Sequence, residues 1–317
     1  AENAQSVMYN DSMWRQVNLP HDYSIEQEFT KSGEAESGYL PGGTGWYRKN
    51  FLVPRELEGK RLRIDFGGAY MNSSVWINGH KLGTHPYGYT PFSYDLTEYI
   101  NFGGDNVIAV KTENKIPSSR WYSGSGIYRS VELTVMNPVH VDLYGTQITT
   151  PNLEAEYNAG DDVTAQIDTT VRNDGTETEE VTVKHTFYKK GEDTAAASGT
   201  TEEIAVPAGE SVKIPAQIPV SAPELWSVDD PNLYTVRTEV MVGGETADSY
   251  ETEYGFRWFQ FGTDDGFSLN GKNMKLKGVC MHHDQGALGA AAYRRAIERQ
   301  VDILKDMGCN SIRVTHN

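Results

Sequence analysis

Residues 275–317, KLKGVCMHHDQGALGAAAYRRAIERQVDILKDMGCNSIRVTHN, decide the architecture. A short apolar strand pattern at 276–281 comes first. A run of small residues follows, then a helical pattern in which Ile297, Val301, Leu304 and Gly308 fall on one face of a 3.6-residue period. Gly308 sits where a glycine closes a helix. A second strand pattern at 311–315 ends in His316 and Asn317. Strand, helix and strand within about 40 residues form a βαβ unit, so its two strands are expected to be parallel with a right-handed crossover. In parallel sheets and (β/α)8 barrels the C-terminal strand ends carry the site. His282 ends the first strand and His316 the second, and counting back places them level on neighbouring strands. Two polar residues capping strands would look the same.

Upstream, residues 1–138 read as all-β. Strand patterns run over 45–53, 61–69, 74–77, 106–112 and 127–135, and Asn78-Gly79 is a two-residue hairpin signal. Many short strands with Gly-rich turns predict a jelly-roll or similar sandwich. Residues 139–257 alternate apolar and polar over 163–172, 181–188, 235–242 and 246–253, with Asn173-Asp174-Gly175 and Gly243-Gly244 as turns. That spacing suggests a seven-strand immunoglobulin-like sandwich without the Cys–Trp–Cys core of antibody domains. It is read as a spacer, with a binding module as the alternative. Residues 258–317 start the barrel, after a hairpin turning at Asn270-Gly271.

The 317 residues suffice for two or three domains. Lys and Arg total 28 against 44 Asp and Glu, a net charge of −16, which argues against nucleic acid or an anionic membrane as partner. No run of 18 apolar residues exists to span a bilayer. The opening AENAQSVMYNDSMW reads as if cut from something longer. Cys280 and Cys309 fall about five residues apart along neighbouring strands, roughly 16 Å, too far for a disulfide. Both are expected to be buried free thiols.

The pair Lys277-Gly278-Val279…His282 and GCNSIRVTHN at 308–317 resembles the opening of the catalytic barrel in the glycoside hydrolase family of β-galactosidases, β-glucuronidases and β-mannosidases. Four earlier stretches resemble that family's sugar-binding domain in the right order: LPHDYSIE at 19–26, GTGWYRKNF at 43–51, VWINGHKLGTHPYGYTPFSYDLT at 75–97 and SSRWYSGSGIYRSVEL at 118–133. LWSVDDPNLYTV at 225–236 is similar to its sandwich. The resemblance implies a mostly β chain: a jelly-roll sugar-binding domain, an immunoglobulin-like β-sandwich, then the truncated start of a TIM (β/α)8 barrel.

It also implies a retaining enzyme of carbohydrate metabolism working with two glutamates. Both are borne on later barrel strands, beyond Asn317, so this chain alone is expected to be inactive. Glu298, the sole glutamate of the barrel portion, should face solvent on the helix. By resemblance His282 and His316 line the sugar subsite and hydrogen-bond its hydroxyls. Arg313 matches an arginine beside the nucleophile and should here be unpaired or turned outward. Asn317 matches the residue after the histidine.

The loop with Arg120, Trp121 and Tyr122 reaches the barrel mouth in this family, where aromatic faces stack on sugars. Packing between domains is the alternative for Trp121 and Tyr122. Some galactosidases carry an Asp in this region, and this sequence has Arg120 near that place, a departure from the family pattern that bears on the sugar 2-position. His21-Asp22 reads as a structural ion pair, and Trp46 and Trp76 as core residues. His282-His283-Asp284 cannot all face one ion, so zinc is not expected. Magnesium or sodium would belong to the intact enzyme, with ligands mostly downstream.

LPHDYSIE and the SRWYSGSGIYR loop favour the galactosidase branch. A β-glucuronidase or β-mannosidase is the first alternative, and a non-catalytic carbohydrate-binding protein the second. The expected partner is a β-linked sugar, and a homo-oligomer is left open.

Overall fold

The computed structural model describes residues 1–117 and 121–315. The chain forms two compact units, one of Ala1–Val135 with Lys277–Asn317 and one of Met136–Leu276. Among the described residues no helix is long and apolar enough to cross a membrane.

In the first unit an antiparallel sheet orders the strands Gly43–Val53, Gly104–Asn114, Ser73–Ile77 and His80–His85. A second sheet orders Phe92–Asp95, Arg61–Phe66 and Val131–Met136. Strict alternation in Arg61–Phe66 turns Leu62, Ile64 and Phe66 inward, where they meet Val75, Ile77, Ile108 and Val110. Each such side chain contributes about 1.5–3 kcal/mol by leaving water. This is the jelly-roll. Its expected hairpin is present: Asn78 and Gly79 both have positive φ and join Ile77 to His80. Asn78 also accepts a hydrogen bond from Val107 N at 2.8 Å, tying the turn to the neighbouring strand. The strand Phe92–Asp95 alternates Phe92 and Tyr94, which pack on this core, with Ser93 and Asp95, but at four residues it is too short for periodicity alone to mark it.

Trp46 and Trp76 do not enter this core. They are half-buried and stack on each other, ring centroids 5.3 Å apart. Their strand positions alternate with Tyr47 and Val75, which do face inward. The expectation of core tryptophans fails because period-2 geometry gives a strand two faces and composition does not say which is inner.

The second unit is an immunoglobulin-like sandwich. One sheet orders Ala195–Thr200, Glu179–Lys189, Tyr234–Val242 and Glu245–Tyr254, with Ile204–Val206 also paired to Glu179–Lys189. The other orders Ser211–Val220, Val163–Asn173 and Val139–Thr149. A short helix, Leu153–Ala159, was missed by periodicity because it is only two turns long. Residues 258–276 group with this unit and not with the barrel start to which the sequence assigned them. Trp258 packs against the sandwich core, and Asn270 donates to Trp226 O at 3.0 Å.

His185 occupies an inward position of Glu179–Lys189, fully buried, with its Nδ1 3.1 Å from Thr238 Oγ1. Burial lowers its pKa from 6.5 to about 4. Between those values the unfolded chain binds a proton that the folded chain refuses. Stability is therefore full above pH 6.5 and falls as pH drops towards 4, by about 3 kcal/mol in all. Urea unfolding at pH 7 and pH 4.5 should show this loss, and His185→Leu should flatten the slope.

Candidate functional site

The two barrel strands and the helix between them are as read, but the register is offset by one residue from the expectation that His282 and His316 are level: beyond Met281↔Val314 the residue level with His282 is Thr315. Gly278–Met281 and Ser311–Val314 pair in parallel, in register from Gly278↔Ser311 to Met281↔Val314. The helix Arg294–Asp306 links them and closes at Gly308, whose N–H donates to Lys305 O. Gly278 is required by close approach: a Cβ there would strike Ser311 O. Two strands cannot bury both faces, so Leu276 and Val314 are exposed and Val279 and Ile312 half-exposed.

That openness corrects one expectation. Cys280 and Cys309 are free, but Cys280 is exposed and Cys309 half-exposed, because a two-stranded sheet has no second layer over them. Arg313 is exposed beside its register partner Cys280, with Nη1 3.6 Å from Sγ. Glu298 faces solvent on the helix, paired with Arg294 at 3.0 Å. The Arg294 guanidinium holds its carboxyl below the usual range, the wrong direction for a general acid. Arg120, His316 and Asn317 lie outside the described residues.

The segment that follows the first barrel strand folds onto the jelly-roll. His282 and His283 are adjacent on extended chain and face different ways. The His282 ring meets Trp121 edge to face, centroids 5.9 Å apart. The His283 ring meets Tyr89 at 5.1 Å and Tyr128 at 6.5 Å. Its Nε2 donates to Ser123 O at 3.2 Å. Burial pushes the His283 pKa down, favouring the neutral ring. Among the described residues no three His, Cys, Asp or Glu side chains are grouped to hold a metal.

Asp22 lies beneath this contact and is 2% exposed. Oδ1 accepts from Ser24 N and Ser125 N, both at 2.9 Å. Oδ2 accepts from Ala290 N at 2.9 Å and from the Tyr122 hydroxyl. So it joins the 19–26 stretch, the 121–125 loop and the small-residue run of the barrel segment. It is not the partner of His21, which instead meets Tyr47 OH at 2.8 Å and Glu26 Oε1 at 3.1 Å. Successive side chains on extended backbone diverge, which is why the expected His21–Asp22 ion pair does not form.

Gly124 explains the Ser-Gly-Ser-Gly sequence. Its φ is +71°, and a Cβ would collide with Ala290 Cβ and crowd Asp22 Oδ2. Ala290 is itself fully buried against Tyr70 and Tyr128. The Tyr128 hydroxyl is pushed up to about 12 by the same burial. Tyr122 is held in this cluster with its hydroxyl committed to Asp22.

Two sequence comparisons bear on this arrangement. Residues 7–137 match the sugar-binding domain of glycosyl hydrolases family 2, and residues 146–257 match a second domain of glycosyl hydrolases family 2. The chain belongs to glycosyl hydrolase family 2. It is 45% identical to the β-galactosidase BoGH2A of Bacteroides ovatus over 98% of this chain and 36% of that protein. It is 30% identical to a β-glucuronidase of Formosa agariphila over 99% of this chain and 34% of that protein. A solved family 2 structure from Bacteroides cellulosilyticus superposes with a TM-score of 0.95 at 38% identity, covering 100% of this chain and 41% of that one. The chain thus spans about a third of the length of the curated relatives it matches.

In this family 2 chain Trp121 stands against His282, while Tyr122 turns to Asp22, the packing alternative for that residue. Sequence reasoning missed Asp22, His283, Tyr89 and Tyr128. A local signal existed for Asp22 alone: Asp followed two residues later by Ser is an Asx-turn pattern, and Ser24 N does donate to it. The bond to Ala290 spans 268 residues and leaves no such trace.

Proposed function

We propose that the chain forms part of a retaining β-glycosidase acting on terminal β-galactosides. The jelly-roll loop at 120–122 and the barrel residues His282, Arg313, His316 and Asn317 line the sugar subsite in this reading. The two catalytic glutamates come from further barrel strands, one protonating the leaving oxygen and one attacking the anomeric carbon. The observation that carries the reading is the meeting of Trp121 with His282 at the C-terminal end of the first barrel strand. An aromatic face and an imidazole at one strand end suit a pyranose, which offers a C–H face and a rim of hydroxyls. With its hydroxyl held by Asp22, Tyr122 supports the loop and Trp121 takes the stacking role.

The galactoside is preferred because the similarity to the Bacteroides ovatus β-galactosidase exceeds that to the Formosa agariphila β-glucuronidase. The test is hydrolysis of aryl β-galactoside, β-glucuronide, β-mannoside and β-glucoside by the parent protein with a complete barrel. Selective cleavage of the galactoside is the expected result. Selective cleavage of the glucuronide would retain the family and reject the sugar. Cleavage of none would favour a carbohydrate-binding role for the jelly-roll. The 317-residue chain by itself is expected to be inert on the panel. In the active parent, His282→Ala should lower kcat/KM about 10–100-fold, the effect of removing one or two hydrogen bonds to a bound sugar.

A further inference from the structure

We propose that His283 is a positioning residue for the sugar subsite: it grips the main chain of the jelly-roll loop so that Trp121 stands against His282. The inference rests on the functional reading above and adds a residue that the family resemblance does not single out.

A carbonyl oxygen can only accept, so the bond to Ser123 O requires the hydrogen on Nε2 of His283. Nδ1 then keeps a bare lone pair, and that buried atom has no hydrogen-bond partner. Tyr89 and Tyr128 crowd the ring, with centroids 5.1 Å and 6.5 Å away. An orphaned acceptor is costly to keep in a protein interior. The arrangement keeps it while spending the other nitrogen on a single main-chain carbonyl of the loop.

The loop's remaining anchors hold it to the jelly-roll itself. Asn114 Nδ2 donates to Gly124 O at 3.0 Å and to Ser125 Oγ at 2.9 Å, and Asp22 accepts from Ser125 N. The barrel segment is attached elsewhere, through Ala290 N to Asp22 and Ala292 N to Tyr128 O. His283 is where a barrel side chain grips the loop backbone, two residues from Trp121. Its neighbour His282 is the residue that Trp121 meets. Two adjacent histidines therefore divide the work: one fixes the register of the loop and the other faces the tryptophan. A slip of one residue would move Trp121 by about 3.3 Å, enough to take its ring off a bound sugar and weaken binding without touching the reacting atoms.

The experiment compares His283→Ala, His283→Gln, Trp121→Ala and the double variant H283A/W121A in the parent protein with its complete barrel, on whichever aryl glycoside the wild type cleaves. Glutamine carries an amide N–H at the distance of Nε2 and should restore the grip. H283A should raise KM about tenfold with kcat within threefold of wild type. H283Q should return KM to within threefold, and H283A should add less than twofold in the W121A background. Hydrogen exchange of amides 121–125 should quicken at least tenfold in H283A and recover in H283Q, a readout that needs no turnover. An unchanged KM in H283A on an active enzyme, additive effects in the double variant, or exchange unaffected by H283A would each overturn the proposal. An inactive wild type would reject the functional reading alone, and the exchange measurement would still decide the grip.

Discussion

Asp22→Ala is expected to destabilise the first unit by about 4 kcal/mol. The carboxylate accepts from three main-chain N–H groups and the Tyr122 hydroxyl while 2% exposed. Alanine removes both acceptor oxygens, and with them all four hydrogen bonds, and opens no route for water of equal quality. Each orphaned buried donor costs roughly 1–3 kcal/mol, and relaxation of the 121–125 loop recovers part of the sum. Asp22→Asn should cost about half as much. Its carbonyl oxygen still serves Ser24 and Ser125, but its amide group meets Ala290 N–H and the Tyr122 hydroxyl, of which only the hydroxyl can reorient to accept. Urea unfolding followed by tryptophan fluorescence gives both numbers. A loss below 1 kcal/mol in D22A would mean that the four bonds are replaced by solvent and that Asp22 does not hold the segments together.

Phe256→Ala should cost the second unit about 3–5 kcal/mol. Phe256 is fully buried and sits among three rings, with centroids at 5.1 Å from Tyr234, 5.1 Å from Tyr254 and 6.0 Å from Phe187. The Tyr234 and Tyr254 contacts are edge-to-face, worth about 0.5–1.5 kcal/mol each beyond area burial. Their strands are hydrogen-bonded neighbours, Tyr234 opposite Tyr254, so they cannot collapse into the void independently. The loss should therefore fall at the upper end of the range. Phe256→Leu should recover more than half of it by refilling the volume. Equilibrium denaturation of the two variants checks both statements, and a loss under 1.5 kcal/mol in F256A would show that the sandwich repacks freely.

The two sites differ in how far the sequence announced them. Phe256 follows an alternating strand and precedes Trp258, so an aromatic core at that point is unsurprising. The Asn78-Gly79 hairpin, the parallel strands around the helix Arg294–Asp306 and the two β-sandwiches were all legible for the same reason. Periodicity and turn chemistry are local properties, set by backbone geometry over a few residues. The resemblance of LPHDYSIE, the 118–133 loop and GCNSIRVTHN carried the family.

Which face each residue uses was not local. Trp46 and Trp76 looked like core and stack on the outside, since alternation fixes two faces without naming them. Cys280 and Cys309 looked buried and are accessible, since burial depends on layers that a strand pattern does not count. His21-Asp22 looked like a pair, yet one turns to Tyr47 and Glu26 and the other to Ala290. His283 entered the sequence reading only within the His282-His283-Asp284 run, and it bonds Ser123 O from 160 residues away. By itself the sequence determined the longer alternating strands, the barrel-start helix and the family. Tertiary structure alone decided the partners of Asp22 and His283, because a buried polar atom takes whichever donor or acceptor the fold brings within 3 Å, wherever in the chain it lies.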